Sequence, residues 1–138
     1  MLTPMTSSNS SPTIPPSRDP SVTSVPRATY RLQLNSQFTF PHTQALLRYL
    51  ADLGISDLYL SPISTARSES SHGYDVCDFN RINPDLGGET GFRELVRALR
   101  QNDLSLLLDI VPNHMWVNHP RNHAWTDEIG RASCRERV

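Results

Sequence analysis

The chain has 138 residues, 37% of them hydrophobic, with 13 basic and 14 acidic side chains and a net charge of −1. That balance advertises neither a nucleic-acid surface nor a binding face for an anionic membrane, and the length allows one ordinary domain. No apolar run approaches a membrane span, and Cys77 and Cys134 form no CxxC or zinc spacing, so a reduced cytoplasmic protein is expected.

Residues 1–25 are dominated by Ser, Pro and Thr without an apolar period. Such a composition does not repay its ordering entropy, and a disordered leader is expected there, without the basic and apolar regions of a secretory signal. From Pro26 the character changes. Ala28 to Leu34 alternates and carries β-formers, which predicts a first strand. Thr39 is placed to cap a helix with Pro41 in its first turn, Leu46, Leu47, Leu50 and Leu53 on one face and Gly54 as its stop. Ile55 to Leu60 reads as a second strand. Ser64 to Glu89 has little regular pattern and predicts a long loop, a length that favours function. Thr90 is expected to cap a second helix with Phe92, Leu95, Val96 and Leu99 on its inner face. Leu104 to Val111 is a nearly continuous apolar run closed by Pro112, which predicts a strand buried on both faces of a parallel sheet. Strands alternating with helices imply right-handed crossovers and an α/β fold. After Pro112 an irregular tail is expected over 118–138, and its abruptly basic end from about residue 130 reads as a cloning or assembly scar.

Asp109 interrupts the apolar run near its carboxyl end, and Asn113 and His114 follow. Polar groups at the carboxyl ends of parallel strands are where such folds meet ligands. Asp109 is either part of a site rim or a buried carboxylate bonded to loop backbone, and spacing alone leaves both readings open. His114, His119 and His123 suggest a metal only at first sight, because Pro120 prevents a helix presenting the last two on one face; no metal is expected. Gly87 to Gly91 lacks both GxGxxG spacing and a Walker lysine, so it reads as punctuation before a helix. His72-Gly73-Tyr74-Asp75 sets an aromatic face beside hydrogen-bonding groups, which suits a sugar ring, although taken alone an ordinary glycine turn with an exposed tyrosine is the better account. Arg67 and Glu69 read as a solvated pair.

Taken together, DIVPNH (Asp109 to His114) and HGYDVCDFNRINPDLGG (His72 to Gly88) resemble the third-strand and second-loop motifs of the α-amylase superfamily, glycoside hydrolase family 13. The resemblance covers about Pro26 to Val117. It implies a (β/α)8 barrel, of which this chain would hold the first three strands and two helices, truncated; a barrel of roughly 250 residues allots about 31 to each unit. It also implies retaining chemistry by a carboxylate nucleophile and a separate acid on later strands, so that no catalytic residue lies in this segment. By motif position, Tyr74 would stack on the sugar at the cleavage point, and His72 and His114 would hydrogen-bond its hydroxyls, with His114 nearest the primary one. Asp75, Asp109 and Asn113 would hold the loop ends that carry those contacts.

Within the family, RATYRLQLNSQFTF, YLADLGISDLYLSPI and SHGYDV are most similar to the branch that isomerises the reducing-end α-1,4 linkage of a maltooligosaccharide to an α,α-1,1 linkage. That reaction needs no metal or organic cofactor. A hydrolase or 4-α-glucanotransferase acting on α-1,4-glucans is the alternative within the family, and a sugar-binding remnant without turnover the alternative outside it. The expected partner is a maltooligosaccharide, with no nucleic acid and no membrane.

Overall fold

The computed structural model describes residues 25–117 and 119–135, with side chains through residue 130. The predicted leader therefore lies outside the described residues, apart from Val25. Among the described residues, β1 (Thr29–Leu32), β2 (Asp57–Leu60) and β5 (Ser105–Leu108) form one parallel sheet in the order β1-β2-β5. Helices α1 (Phe40–Asp52) and α2 (Gly88–Gln101) are the crossovers. The α/β expectation holds, with strand ends drawn in by up to three residues.

Helix α1 starts where the sequence places it. Thr39 is the N-cap, its N–H donates to His42 Nδ1 at 3.2 Å, and Pro41 occupies the first turn, where a missing N–H costs nothing. The helix ends in a Schellman motif: Gly54, at φ +90°, donates to Ala51 O, and Ile55 N donates to Leu50 O. Phe40, Thr43, Leu47 and Leu50 are the buried positions, whereas Leu53, expected on that face, is 58% exposed because the helix has already closed at Asp52. Helix α2 ends the same way, with Asp103 in the left-handed region at φ +54° and Leu104 N donating to Leu99 O. Its start differs from expectation. Gly87, left-handed at φ +115°, is the N-cap, and Thr90 lies inside the first turn.

The core lies between the sheet and these two helices. Leu32, Leu58 and Leu60 meet Phe40, Leu47, Leu50, Leu95 and Leu99, with Leu86 and Leu104 closing the ends. Each fully buried leucine contributes about 1.5–3 kcal/mol relative to exposure. Phe40 and Phe92 pack with ring centroids 5.6 Å apart and lock α1 against α2.

Three expectations are corrected. The Leu104 run is not buried on both faces: Leu107 is 42% and Leu108 39% exposed, because β5 is an edge strand with β2 as its partner. The predicted loop 64–89 contains an antiparallel hairpin, β3 (Ser64–Ala66) with β4 (Val76–Ile82), whose register shifts interrupt any simple alternation. A 3-10 turn over Pro84–Leu86 follows, capped by the buried Asn83 side chain. Finally, the predicted irregular tail is helical over α3 (His123–Arg135). The buried Asn122 secures its start by accepting from Trp125 N at 3.0 Å, a cap that apolar periodicity does not register. Residues 136–138 lie outside the described part. No helix among the described residues is long and apolar enough to cross a membrane.

Candidate functional site

The site is built at the carboxyl ends of β1, β2 and β5, roofed by the tip of the β3–β4 hairpin. Parallel register sets Arg31 beside Tyr59 and Tyr59 beside Leu107. Side chains alternate along a strand, so Asp109, two residues beyond Leu107, belongs to the same face. The opposite face carries Leu32, Leu58 and Leu60 into the core. One side of the sheet is therefore greasy and helix-covered, and the other carries Arg31, Tyr59 and Asp109 with Leu107 exposed among them.

The hairpin tip is held by a short polar lattice. Arg67 N donates to Asp75 O at 3.0 Å and closes the loop, while Arg67 Nε donates to Asp75 Oδ2 at 3.1 Å. Ser70 donates its hydroxyl to the other Asp75 oxygen and accepts Gly73 N at 3.0 Å. Asp75 is buried, which by itself raises its carboxyl. The Ser70 hydroxyl, its own backbone N–H and Arg67 outweigh that effect and bring the pKa below the ordinary carboxylate value. Arg67 and Glu69 are thus not a solvated pair: Arg67 binds Asp75 and also lies over the Trp116 ring at 5.4 Å. Gly73 sits at φ +79° with its Cα against the end of β2, where a Cβ would come within 2.8 Å of Pro62 O. That contact brings the loop down over the strand ends.

Tyr74 is the meeting point. Its hydroxyl donates to Asp109 Oδ2 at 2.5 Å and accepts from Arg31 Nη2 at 3.0 Å. Asp109 is pulled down from the ordinary carboxylate range chiefly by the Tyr74 hydroxyl, against the effect of burial, with the Tyr59 hydroxyl, Ile110 N–H and the Arg31 charge assisting. The same bond to Asp109 raises Tyr59. Arg31 completes the ring with its guanidinium 5.8 Å from the Tyr59 ring centroid. Asp109 is therefore not a buried carboxylate held by loop backbone alone: it is half-exposed and accepts the Tyr74 hydroxyl.

His72 packs against Tyr74 with centroids 5.8 Å apart and a 36° tilt. Its Nδ1 accepts Tyr74 N at 3.0 Å, so the neutral ring carries its proton on Nε2. The structure therefore brings His72, Tyr74, Asp75 and Asp109 together. Asn113 and His114 are exposed beyond the end of β5 and bonded to each other at 3.1 Å. Among the described residues, no hydrogen bond joins either of them to Tyr74 or Asp109. His119 is 3.7 Å from the buried Cys77 sulfur and accepts from Arg121 N at 3.2 Å, while His123 opens α3. Arg121 forks onto Asp85 at 2.8 and 3.1 Å and donates to Ala66 O, fastening the segment after Val117 to the hairpin.

Sequence reasoning missed Arg31 and Tyr59. The available signal was the alternation of TYRL and DLYL, which puts Arg31 and Tyr59 on the faces opposite their leucines. Pairing them with Asp109 requires the inter-strand register, which no single strand specifies.

The comparisons with known proteins fall on the same segment. A curated Mycobacterium tuberculosis protein assigned as a maltooligosyl trehalose synthase is 45% identical over 115 residues, covering 78% of this chain and 15% of its own length. The maltooligosyltrehalose synthase of Arthrobacter ramosus superposes with a TM-score of 0.74 at 43% identity, over 77% of this chain and 14% of that one. The α-amylase of Geobacillus thermoleovorans superposes with a TM-score of 0.64 at 25% identity, over 73% of this chain. The chain thus spans about 15% of the length of the first curated relatives it matches. The family model for the α-amylase catalytic domain matches residues 43–135, and this chain belongs to that family.

Proposed function

We propose that the enzyme carrying this segment isomerises the reducing-end α-1,4 linkage of a maltooligosaccharide to an α,α-1,1 linkage. In this reading the segment supplies the first three strands and two helices of a (β/α)8 barrel and one wall of its sugar site. The observation that carries the reading is the Tyr74–Asp109 bond, which seats the SHGYDV loop on the third-strand motif, in a segment 45% identical to a maltooligosyl trehalose synthase. Tyr74 stacks on the sugar ring at the cleaved bond. His72, with its proton on Nε2, donates to a sugar hydroxyl, and His114 donates to the primary one. Asp75, Asp109 and Asn113 hold the loop ends. The nucleophile and acid come from strands outside this segment. Two cysteines without a pairing pattern fit a cytoplasmic enzyme.

The chemistry separates this reaction from its relatives. A retaining site holds the glycosyl group covalently after the first bond breaks, and its fate depends on what stays bound. Water gives shorter chains and new reducing ends. A second chain gives redistributed lengths with reducing ends conserved. Isomerisation requires that the departing glucose be kept, turned and presented by its anomeric hydroxyl. Maltopentaose incubated with the enzyme is therefore expected to lose reducing power at unchanged mass. A gain of reducing sugar with shorter products would replace this reading by a hydrolase, and a ladder of longer and shorter chains by a glucanotransferase.

A further inference from the structure

The geometry points to Arg31 as a positioning residue that sets the orientation of the Tyr74 ring through its hydroxyl, and thereby the seat of the sugar at the cleaved bond. The inference rests on the stacking role of Tyr74 proposed above. A tyrosine side chain has two torsions: the position of the phenol oxygen sets χ1, and because the phenol O–H and its lone pair lie near the ring plane, a donor and an acceptor at that oxygen together set χ2. Cα is fixed on one side by the loop, where Gly73 abuts Pro62 O and Asp75 is pinned by Arg67 and Ser70. The oxygen is fixed by one donor and one acceptor that belong to different strands: Arg31 Nη2 at 3.0 Å from β1 and Asp109 Oδ2 at 2.5 Å beyond β5.

The valence of the phenol explains why both partners are needed. Its single proton goes to Asp109, and a lone pair is left for Arg31. Either bond alone leaves the oxygen free to swing about the other, whereas two bonds on opposite sides hold it. Arg31 is itself steered, since its guanidinium lies 5.8 Å from the Tyr59 ring centroid and Tyr59 shares its sheet face with Asp109. The four side chains form a closed set across three strands and the loop. One flank of the Tyr74 ring is occupied by His72, at 5.8 Å between centroids. A sugar is thus offered a single, predetermined stacking surface.

An isomerase depends on this more than a hydrolase does. The glycosyl group must stay in register while the departing glucose turns, and a loosened floor under it lets water attack first. The expected signature of losing the clamp is a change in partition between isomerisation and hydrolysis, in addition to a slower reaction. A general loss of folded enzyme would lower both products alike.

The test is a double-mutant cycle on the full-length enzyme with maltopentaose, using Arg31→Met, Tyr74→Phe and the pair, with Arg31→Lys as the conservative variant. Arg31→Met is expected to lower kcat/KM by about tenfold, the scale of one charge-assisted bond, and Tyr74→Phe, which also removes the Asp109 bond, by at least as much; both are expected to raise the hydrolysed fraction. The pair is expected to be no worse than the poorer single variant, because both remove the same bond. Arg31→Lys is expected to recover part of the partition and carries the test if Arg31→Met does not fold. Multiplying effects in the pair, or an unchanged partition in Arg31→Met, overturns the inference. Wild-type products other than an isomer of unchanged mass overturn the isomerase reading instead, and the cycle on kcat/KM still decides whether Arg31 acts through Tyr74.

Discussion

Two carboxylates that each sit one residue outside a strand, Asp75 before β4 and Asp109 after β5, behave differently because of what surrounds them. Asp109 is half-exposed and holds phenols; Asp75 is buried and holds the loop. Because Asp75 is lowered in the folded protein, its contribution to stability is complete above the ordinary carboxylate value near 3.8 and is lost as pH falls through the lower folded value. Asp75→Asn is therefore expected to cost about 1–2 kcal/mol at neutral pH, a discounted figure because Arg67 is open to water on one side. Urea midpoints of wild type and variant are expected to converge as pH is lowered from 7 to 3. A gap that stays constant would show that charge is not what Asp75 contributes. Tyr74→Ala removes a whole stacking face and is expected to raise KM as well as lower kcat. His114→Ala removes one hydrogen bond that tightens in the transition state and is expected to lower kcat about a hundredfold with little change in KM. Near-normal turnover in the His114 variant would remove it from the sugar site.

At the scale of elements, two glycines with similar backbone angles separate stability from function. Gly54 closes α1 at φ +90° with nothing within 4 Å of a new Cβ, so Gly54→Ala carries only the left-handed cost, about 1–2 kcal/mol, with activity retained at temperatures where the enzyme stays folded. Gly73→Ala carries that cost and a collision with Pro62 O, a backbone atom that yields only by lifting the hairpin tip. Its expected result is activity falling far more than the shift in Tm explains, and equal losses in the two variants would contradict the seating of the tip on β2. The same contrast explains what the sequence disclosed. Helices α1 and α2 and strands β1, β2 and β5 were legible because their apolar periods and stops are local. The β3–β4 hairpin was not, because its strands, STA and VCDFNRI, mix apolar and polar residues without regular alternation and its pairing is broken by register shifts. Helix α3 escaped because Trp125 and Ile129 are 40% and 51% exposed, leaving no buried stripe to detect. In the site, Tyr74 and Asp109 were legible as motif residues. Their union with Arg31 and Tyr59 depends on three strands coming into register and was not.

For the molecule as a whole, what the sheet leaves uncovered governs how this chain behaves alone. Both β1 and β5 are edge strands with one hydrogen-bonded neighbour each among the described residues. An edge strand presents unpaired N–H and C=O groups, and a parallel sheet ordinarily has both faces covered. Here Leu107, Leu108 and Ile110 are 42, 39 and 73% exposed in succession, and Phe79 beside them is 43% exposed. Each such side chain forgoes a large part of the roughly 1.5–3 kcal/mol that burial supplies. Together the four forgo roughly 3–6 kcal/mol, which reaches the lower end of the net stability of an ordinary domain, about 5–15 kcal/mol. The buried leucine core between the sheet and α1–α2 still favours helix and strand formation, so the isolated 138-residue chain is expected to show α/β circular dichroism. It is expected to melt without a sharp transition, to exchange its β1 and β5 amides rapidly, and to associate through β5 as concentration rises. Supplying the following strands on the same polypeptide should sharpen the melt and protect β5 before any other element. A monomeric, cooperative transition with protected β5 amides in the isolated chain would show that the α1–α2 layer alone suffices, and that β5 needs no further neighbour.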